Sequence, residues 1–194
     1  MPGPVNPVCL RFVQAMILVC FPGVNIMCSA ASAEDVYMPI PADDWRLVTD
    51  NVMGGVSNGV LRRVQEDGKE CIRLSGEVST ANNGGFIQMA LDIDNPVAMK
   101  ATAYDGIRVN VYGNAEQYNM HLRTQDLRLP WQAYRKTFSA TATWQQIDLP
   151  FNSFMPYKTT ARLNVDRLKR IGIVAIGREF SADICVGSLG FYRH

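Results

Sequence analysis

An all-β sandwich is the fold class this sequence predicts, and three observations carry it. Short runs of alternating apolar and polar residues recur through residues 43–194, with turn residues between them. A clean helical stripe is missing from the same region, Asp166 to Lys169 offering one short turn at most. Two loops also pair glycines after polar residues: Thr49-Asp-Asn-Val-Met-Gly-Gly-Val-Ser-Asn58 and Ser79-Thr-Ala-Asn-Asn-Gly-Gly-Phe-Ile-Gln88. Glycine pairs mark backbone angles or close approaches that a Cβ would forbid.

Taken in order, the chain begins with a leader. Residues 1–33 hold one charged side chain, Arg11, ahead of a mostly apolar stretch from Phe12 to Val24. Pro22, Gly23 and Asn25 interrupt that stretch well short of the ~20 residues a membrane span needs. Ala31-Ser32-Ala33 has the A-x-A form of a signal-peptidase site. The expectation is a cleaved signal peptide over 1–33, a periplasmic or otherwise exported protein, and no transmembrane anchor after cleavage. Residues 34–42, with Pro39 and Pro41, read as an extended lead-in to a single sandwich domain over 43–194.

Within that domain Trp45 to Val48 begins ordered structure. Val60–Gln65 and Cys71–Leu74 flank the hairpin signal Glu66-Asp-Gly-Lys69. Gly76–Thr80 and Phe86–Ile93 flank the second glycine loop. Gly106–Tyr112 places Ile107, Val109 and Val111 on one face and Arg108, Asn110 and Tyr112 on the other. After a turn at Gly113-Asn114, Tyr118–Gln125 alternates again, setting Asn119, His121, Arg123 and Gln125 on its polar face. Tyr134–Ser139, Trp144–Leu149, Arg170–Ile176 and Asp183–Phe191 complete the strands.

Composition narrows the function. The formal net charge is +1, and once Arg11 leaves with the leader the 18 remaining basic groups match 18 acidic ones. With no basic run, nucleic acid and anionic membrane are excluded as main partners, because phosphate binding needs clustered Lys and Arg. The glycine pairs lack G-x-G-x-x-G spacing and a following helix, which excludes a dinucleotide site. Zinc motifs are absent, and no cofactor or metal is expected. Asp92-Ile-Asp-Asn95 and Asp43-Asp44 offer oxygen ligands for calcium, but a strand end and a loop account for them better. The two histidines are His121 and His194, and Ser57 does not sit in a G-x-S-x-G elbow, so no catalytic residue is expected. Cys71 and Cys185 are the cysteines that outlast the leader; they suit either a disulfide in an oxidising compartment or two buried thiols.

The candidate binding residues are Asp50 and Asn51 in the first glycine loop, the polar face Arg108, Asn110, Tyr112, His121 and Arg123, and the nearby Trp131 and Tyr134. Arg108, Asn110 and Tyr112 are expected beside Asn119, His121 and Arg123. Planar donors with aromatic rings suit a sugar, Arg, Tyr and Trp suit a protein partner, and a solvated sheet face needs neither.

The ordered motifs together resemble the complex I intermediate-associated protein family. They are Trp45…Asp50-Asn-Val-Met-Gly-Gly-Val-Ser57, Gly76…Gly84-Gly-Phe86, Tyr104-Asp-Gly-Ile-Arg108, Gly113, Tyr118…Leu122-Arg-Thr124, Trp144…Leu149-Pro-Phe151…Phe154 and Ile171-Gly-Ile173. The resemblance spans about residues 43–193 and implies a jelly-roll β-sandwich like galactose-binding domains and carbohydrate-binding modules. It also implies a non-enzymatic role, since mitochondrial relatives help assemble respiratory complex I and plastid relatives act around photosynthetic complexes. For an exported chain the expectation is an assembly or chaperone-like factor with a protein partner in an envelope or membrane complex. The alternative is a module that recognises an envelope glycan.

Overall fold

The computed structural model describes residues 36–42 and 44–194; the leader, Glu34, Asp35 and Asp43 lie outside the described residues. Alternation along the strands dictates two antiparallel sheets that share one core. The first, sheet A, contains β1 (Val36–Pro39), β3 (Asn58–Glu66), β4 (Lys69–Val78), β6 (Gly106–Gly113), β9 (Gln145–Pro150) and β12 (Phe180–Arg193). Its order is β3-β4-β12-β6-β9, and β1 also pairs with β12. Sheet B contains β2 (Arg46–Thr49), β5 (Phe86–Asp92), β7 (Glu116–Thr124), β8 (Ala133–Ala140), β10 (Met155–Tyr157) and β11 (Leu168–Ile176), in the order β10-β8-β7-β11-β5-β2.

The inner faces carry the alternating apolar residues. Ile107, Val109 and Val111 of β6 face Ile171 and Ile173 of β11, Met120 and Leu122 of β7, and Ile87 and Met89 of β5, all fully buried. Helix is confined to 3-10 turns and to α1 (Asn95–Lys100), which the sequence reading missed. Pro96 in its first turn fits the start of a helix, where the missing N–H costs nothing. No helix among the described residues is long and apolar enough to cross a membrane.

Three expectations about the chain path are corrected. Residues 36–39 of the expected lead-in form a strand of the domain, with Val36 opposite Arg193 and Pro39 opposite Gly190. Cys71–Leu74 and Gly76–Thr80 are one strand, β4, because Gly76 at φ +155° keeps the chain extended while its neighbour Gly59 packs against it. The turn at Gly113-Asn114 does not return the chain beside β6. It carries the chain across to sheet B, where Gly113 and Ala115 donate to the carbonyls of Thr141 and Ala140 at 2.7 and 2.8 Å.

Cys71 on β4 and Cys185 on β12 are joined by a disulfide, with Cα atoms 5.6 Å apart and a sequence separation of 114. A bridge of that span removes much conformational freedom from the unfolded chain.

Both glycine loops converge on Asp50. Thr49 caps the short 3-10 turn Asp50–Met53, accepting from the N–H of Asn51, and Gly54 ends it at φ +86°. This buries the Asp50 carboxylate completely. Its Oδ1 accepts from the Ser57 N–H at 3.0 Å, and Oδ2 accepts from the Ser57 hydroxyl at 2.5 Å and from the N–H groups of Gly85 and Phe86 at 2.6 and 3.2 Å. A Cβ at Gly84 would lie 2.5 Å from Oδ2, and one at Gly55 would overlap the carboxyl carbon. Burial alone would push the Asp50 pKa up; the Ser57 hydroxyl and the three N–H donors outweigh it, and the net shift is down.

Asp50→Asn should therefore cost about 3 kcal/mol or more in urea unfolding, because an amide presents N–H groups to donors already aimed at the site. The sign of the pH dependence follows from the lowered pKa. Asp50 contributes its full stabilisation above about pH 4 and loses it as pH falls through the depressed folded value. Urea midpoints measured on the acid side should show a limb in the native protein that Asp50→Asn lacks.

Candidate functional site

Register places the side chains on the outer face of sheet B in rows. Arg170 of β11 lies opposite Arg123 of β7 on one side and Asp92 of β5 on the other. In the next row Gly172 faces His121, which faces Arg135 of β8. A third row runs Val48, Gln88, Val174, Asn119, and a fourth pairs Phe86 with Ile176. Gly172 keeps the floor low, since a Cβ there would meet the Gln88 amide at 2.5 Å.

Loops raise the walls. Val52 and Met53 from the Asp50 turn stand at one side, and Pro130, Trp131 and Tyr157 at the other, enclosing a groove of ≈ 490 Å³. Val52, Met53 and Trp131 are 75%, 56% and 49% exposed, an apolar rim that folding leaves uncovered.

The floor is cationic at the end where Arg123 and Arg170 stand. Asp92 takes Arg170 at 2.6 Å and Arg46 at 3.1 Å, and these two cations hold its carboxyl below the usual range against the upward push of burial. Arg123 donates to the Pro130 carbonyl, and burial together with Arg170 lowers its pKa. The Arg135 guanidinium stacks over the Tyr157 ring at 3.8 Å, and its Nε donates to His121 Nε2 at 3.1 Å. An accepting Nε2 makes His121 the neutral Nδ1–H tautomer. Burial first, then Arg135 and Arg123, press its pKa down to about 3. No metal-holding group of His, Cys, Asp and Glu exists among the described residues.

Of the sequence-predicted residues, the groove brings together His121, Arg123 and Trp131. Asn51 sits exposed on the same turn as Val52 and Met53. Asp50 is withdrawn from any ligand, its oxygens occupied by the loop donors. Tyr134 points inward; it is fully buried and its hydroxyl donates to the Arg162 carbonyl at 2.8 Å. Arg108, Asn110 and Tyr112 belong to sheet A and so lie on the opposite side of the sandwich from His121 and Arg123. There Arg108 is paired with Asp148 at 2.6 Å and lies over the Tyr192 ring, and Tyr112 packs on Trp144. Ser57 and Asp50 are bonded to each other and His121 to Arg135, so no nucleophile–base contact joins them.

Sequence reasoning missed Met53, Phe86, Gln88, Tyr157, Lys158 and Arg170. Gln88, a lone polar residue in the apolar run Phe86–Leu91, was the available signal.

This sandwich is that of known jelly-roll binding modules. A family 11 carbohydrate-binding module from Clostridium thermocellum, solved with a β-1,3-1,4-mixed-linked tetrasaccharide, is similar at a TM-score of 0.64 and 12% identity, over 81% of this chain and 94% of that one. A family 30 carbohydrate-binding module of a cellulosomal cellulase from the same organism is similar at 0.55 and 11%, over 82% and 98%. No curated protein matches the chain. Residues 35–184 match the family Complex I intermediate-associated protein 30 (CIA30), and the chain belongs to that family.

The depressed His121 pKa predicts a second acid-sensitive window. An unfolded histidine takes up its proton near pH 6.5 and the folded one near pH 3, so stability is complete above the first value and declines toward the second. In His121→Gln the fall of the urea midpoint across that window should flatten; an unaltered slope would show that His121 is protonated in the fold.

Proposed function

We propose that the chain is a non-enzymatic, exported binding protein that acts as an assembly or chaperone-like factor for a membrane or respiratory complex, and that it holds its client in the sheet B groove. The observation that carries this is the exposed apolar rim of Val52, Met53 and Trp131 around a cationic floor, in a member of the CIA30 family. Large apolar side chains left bare around a concave surface, with Trp and Arg among its residues, are the usual equipment of a protein interface. The leader supports export, and so does the Cys71–Cys185 bridge, since structural disulfides persist in oxidising compartments.

Pulldown from detergent-solubilised membranes with the tagged protein should recover a defined complex. Arg123→Ala should reduce that recovery several-fold, because it removes a charge that lines the groove. Recovery no better than with an unrelated tagged β-sandwich would count strongly against the reading.

A second reading, a carbohydrate-binding module for an envelope glycan, is favoured by the Trp131 and Tyr157 rings lining the same groove as Gln88 and Arg123. Rings give a sugar its stacking surface and planar side chains its hydrogen bonds. On a glycan array this reading expects a saccharide signal that Trp131→Ala abolishes, and a blank array sinks it.

A further inference from the structure

The groove is divided along the strand direction. In the two rows at one end stand Arg170, Arg123 and His121, with Lys158 beside Tyr157; Arg135, opposite His121, lies just outside the lining. In the two rows at the other end stand Val48, Val174, Phe86 and Ile176 around the single amide of Gln88, with Val52 and Met53 above them. No Asp or Glu lines the groove. Asp92, at its edge, is already shared between Arg46 and Arg170, while Arg123 and Arg135 have no carboxylate partner among the described residues.

We propose that this groove reads an extended polypeptide segment of the client in which carboxylate side chains precede or follow large apolar ones. The inference rests on the reading of this face as the client-binding surface, and it names the chemistry of the segment. Charge complementarity fixes the acidic half: Arg123 and Lys158, neither with a carboxylate partner among the described residues, line it beside Arg170, and Arg135 adds positive charge from the adjacent position opposite His121. The apolar end weighs against a saccharide, because Val48, Val174, Ile176 and Met53 cannot satisfy sugar hydroxyls they would desolvate and Gln88 is the one amide side chain lining the groove among them. Length is consistent with a peptide. From the Arg123 row to the Phe86 row is three two-residue steps, roughly 20 Å, which about six extended residues cover.

The test uses the full mature chain and short fluorescein-labelled peptides, read by anisotropy. One peptide carries two glutamates at one end and Phe and Leu at the other; a second replaces the glutamates by glutamine, and a third replaces Phe and Leu by serine. The first should bind about tenfold more tightly than either of the others and lose affinity as salt is raised. Arg123→Gln with Lys158→Gln should erase the preference for the acidic peptide, Met53→Ser should weaken binding several-fold, and Arg62→Gln on sheet A should change nothing. The peptide pair tests the claim on unaltered protein, so a poorly folding variant does not rescue it. Equal binding of the acidic and amide peptides overturns the inference. So does binding of an oligouronate in preference to all three peptides. If membrane pulldown still depends on Arg123 while the peptides show no preference, client binding stands and the acidic segment falls.

Discussion

The buried Asp50 carboxylate is the constraint on which the rest of this structure depends. One ionised side chain accepts from Ser57, Gly85 and Phe86, and so binds the end of β2, the start of β3 and the entry to β5 at one point. A buried charge is tolerable only when its lone pairs are filled, and here the backbone fills them. Gly55 and Gly84 leave the space that this packing needs, which makes the two glycine motifs halves of one device. The same turn carries Val52 and Met53, so the position of the groove rim follows from the carboxylate beneath it. Loss of Asp50 would loosen the wall of the site and not merely the fold.

How much of this was legible in the sequence divides by the range of the forces involved. Alternation of apolar residues along Gly106–Tyr112 and Tyr118–Gln125 gave the inward and outward faces correctly, because a strand's side chains alternate whatever it pairs with. The family motifs likewise carried the jelly-roll class, which the two sheets and the similar binding modules show. Pairing was the part that did not show. A tight turn reads alike whether it folds a hairpin or passes the chain to a second sheet, and Gly113-Asn114 does the latter. One polar face was thereby expected where two exist. Tyr134 misled for a related reason: its ring is apolar enough for the core once the Arg162 carbonyl takes its hydroxyl.

The site itself was legible only in part because its charge is assembled across strands. Arg123, Arg135, Lys158 and Arg170 are scattered over several segments, so a near-neutral chain without a basic run still builds a cationic surface. Register at adjacent strands brings them together, and register is what a single sequence conceals.

The two outer faces make the placement of that charge meaningful. On sheet A, Arg73 is held by Asp183 and Glu66, and Arg108 by Asp148, so those cations are neutralised where they stand. On sheet B, Asp92 serves Arg46 and Arg170, while Arg123 and Arg135 turn to a carbonyl, an imidazole and a ring. Like charges gathered on one face repel, and His121 is kept neutral partly by that field. A fold with carboxylates to spare elsewhere gains nothing for its own stability from such an arrangement. An anionic partner would relieve the repulsion, and the apolar rows beside it would add the contact area that charge alone does not provide.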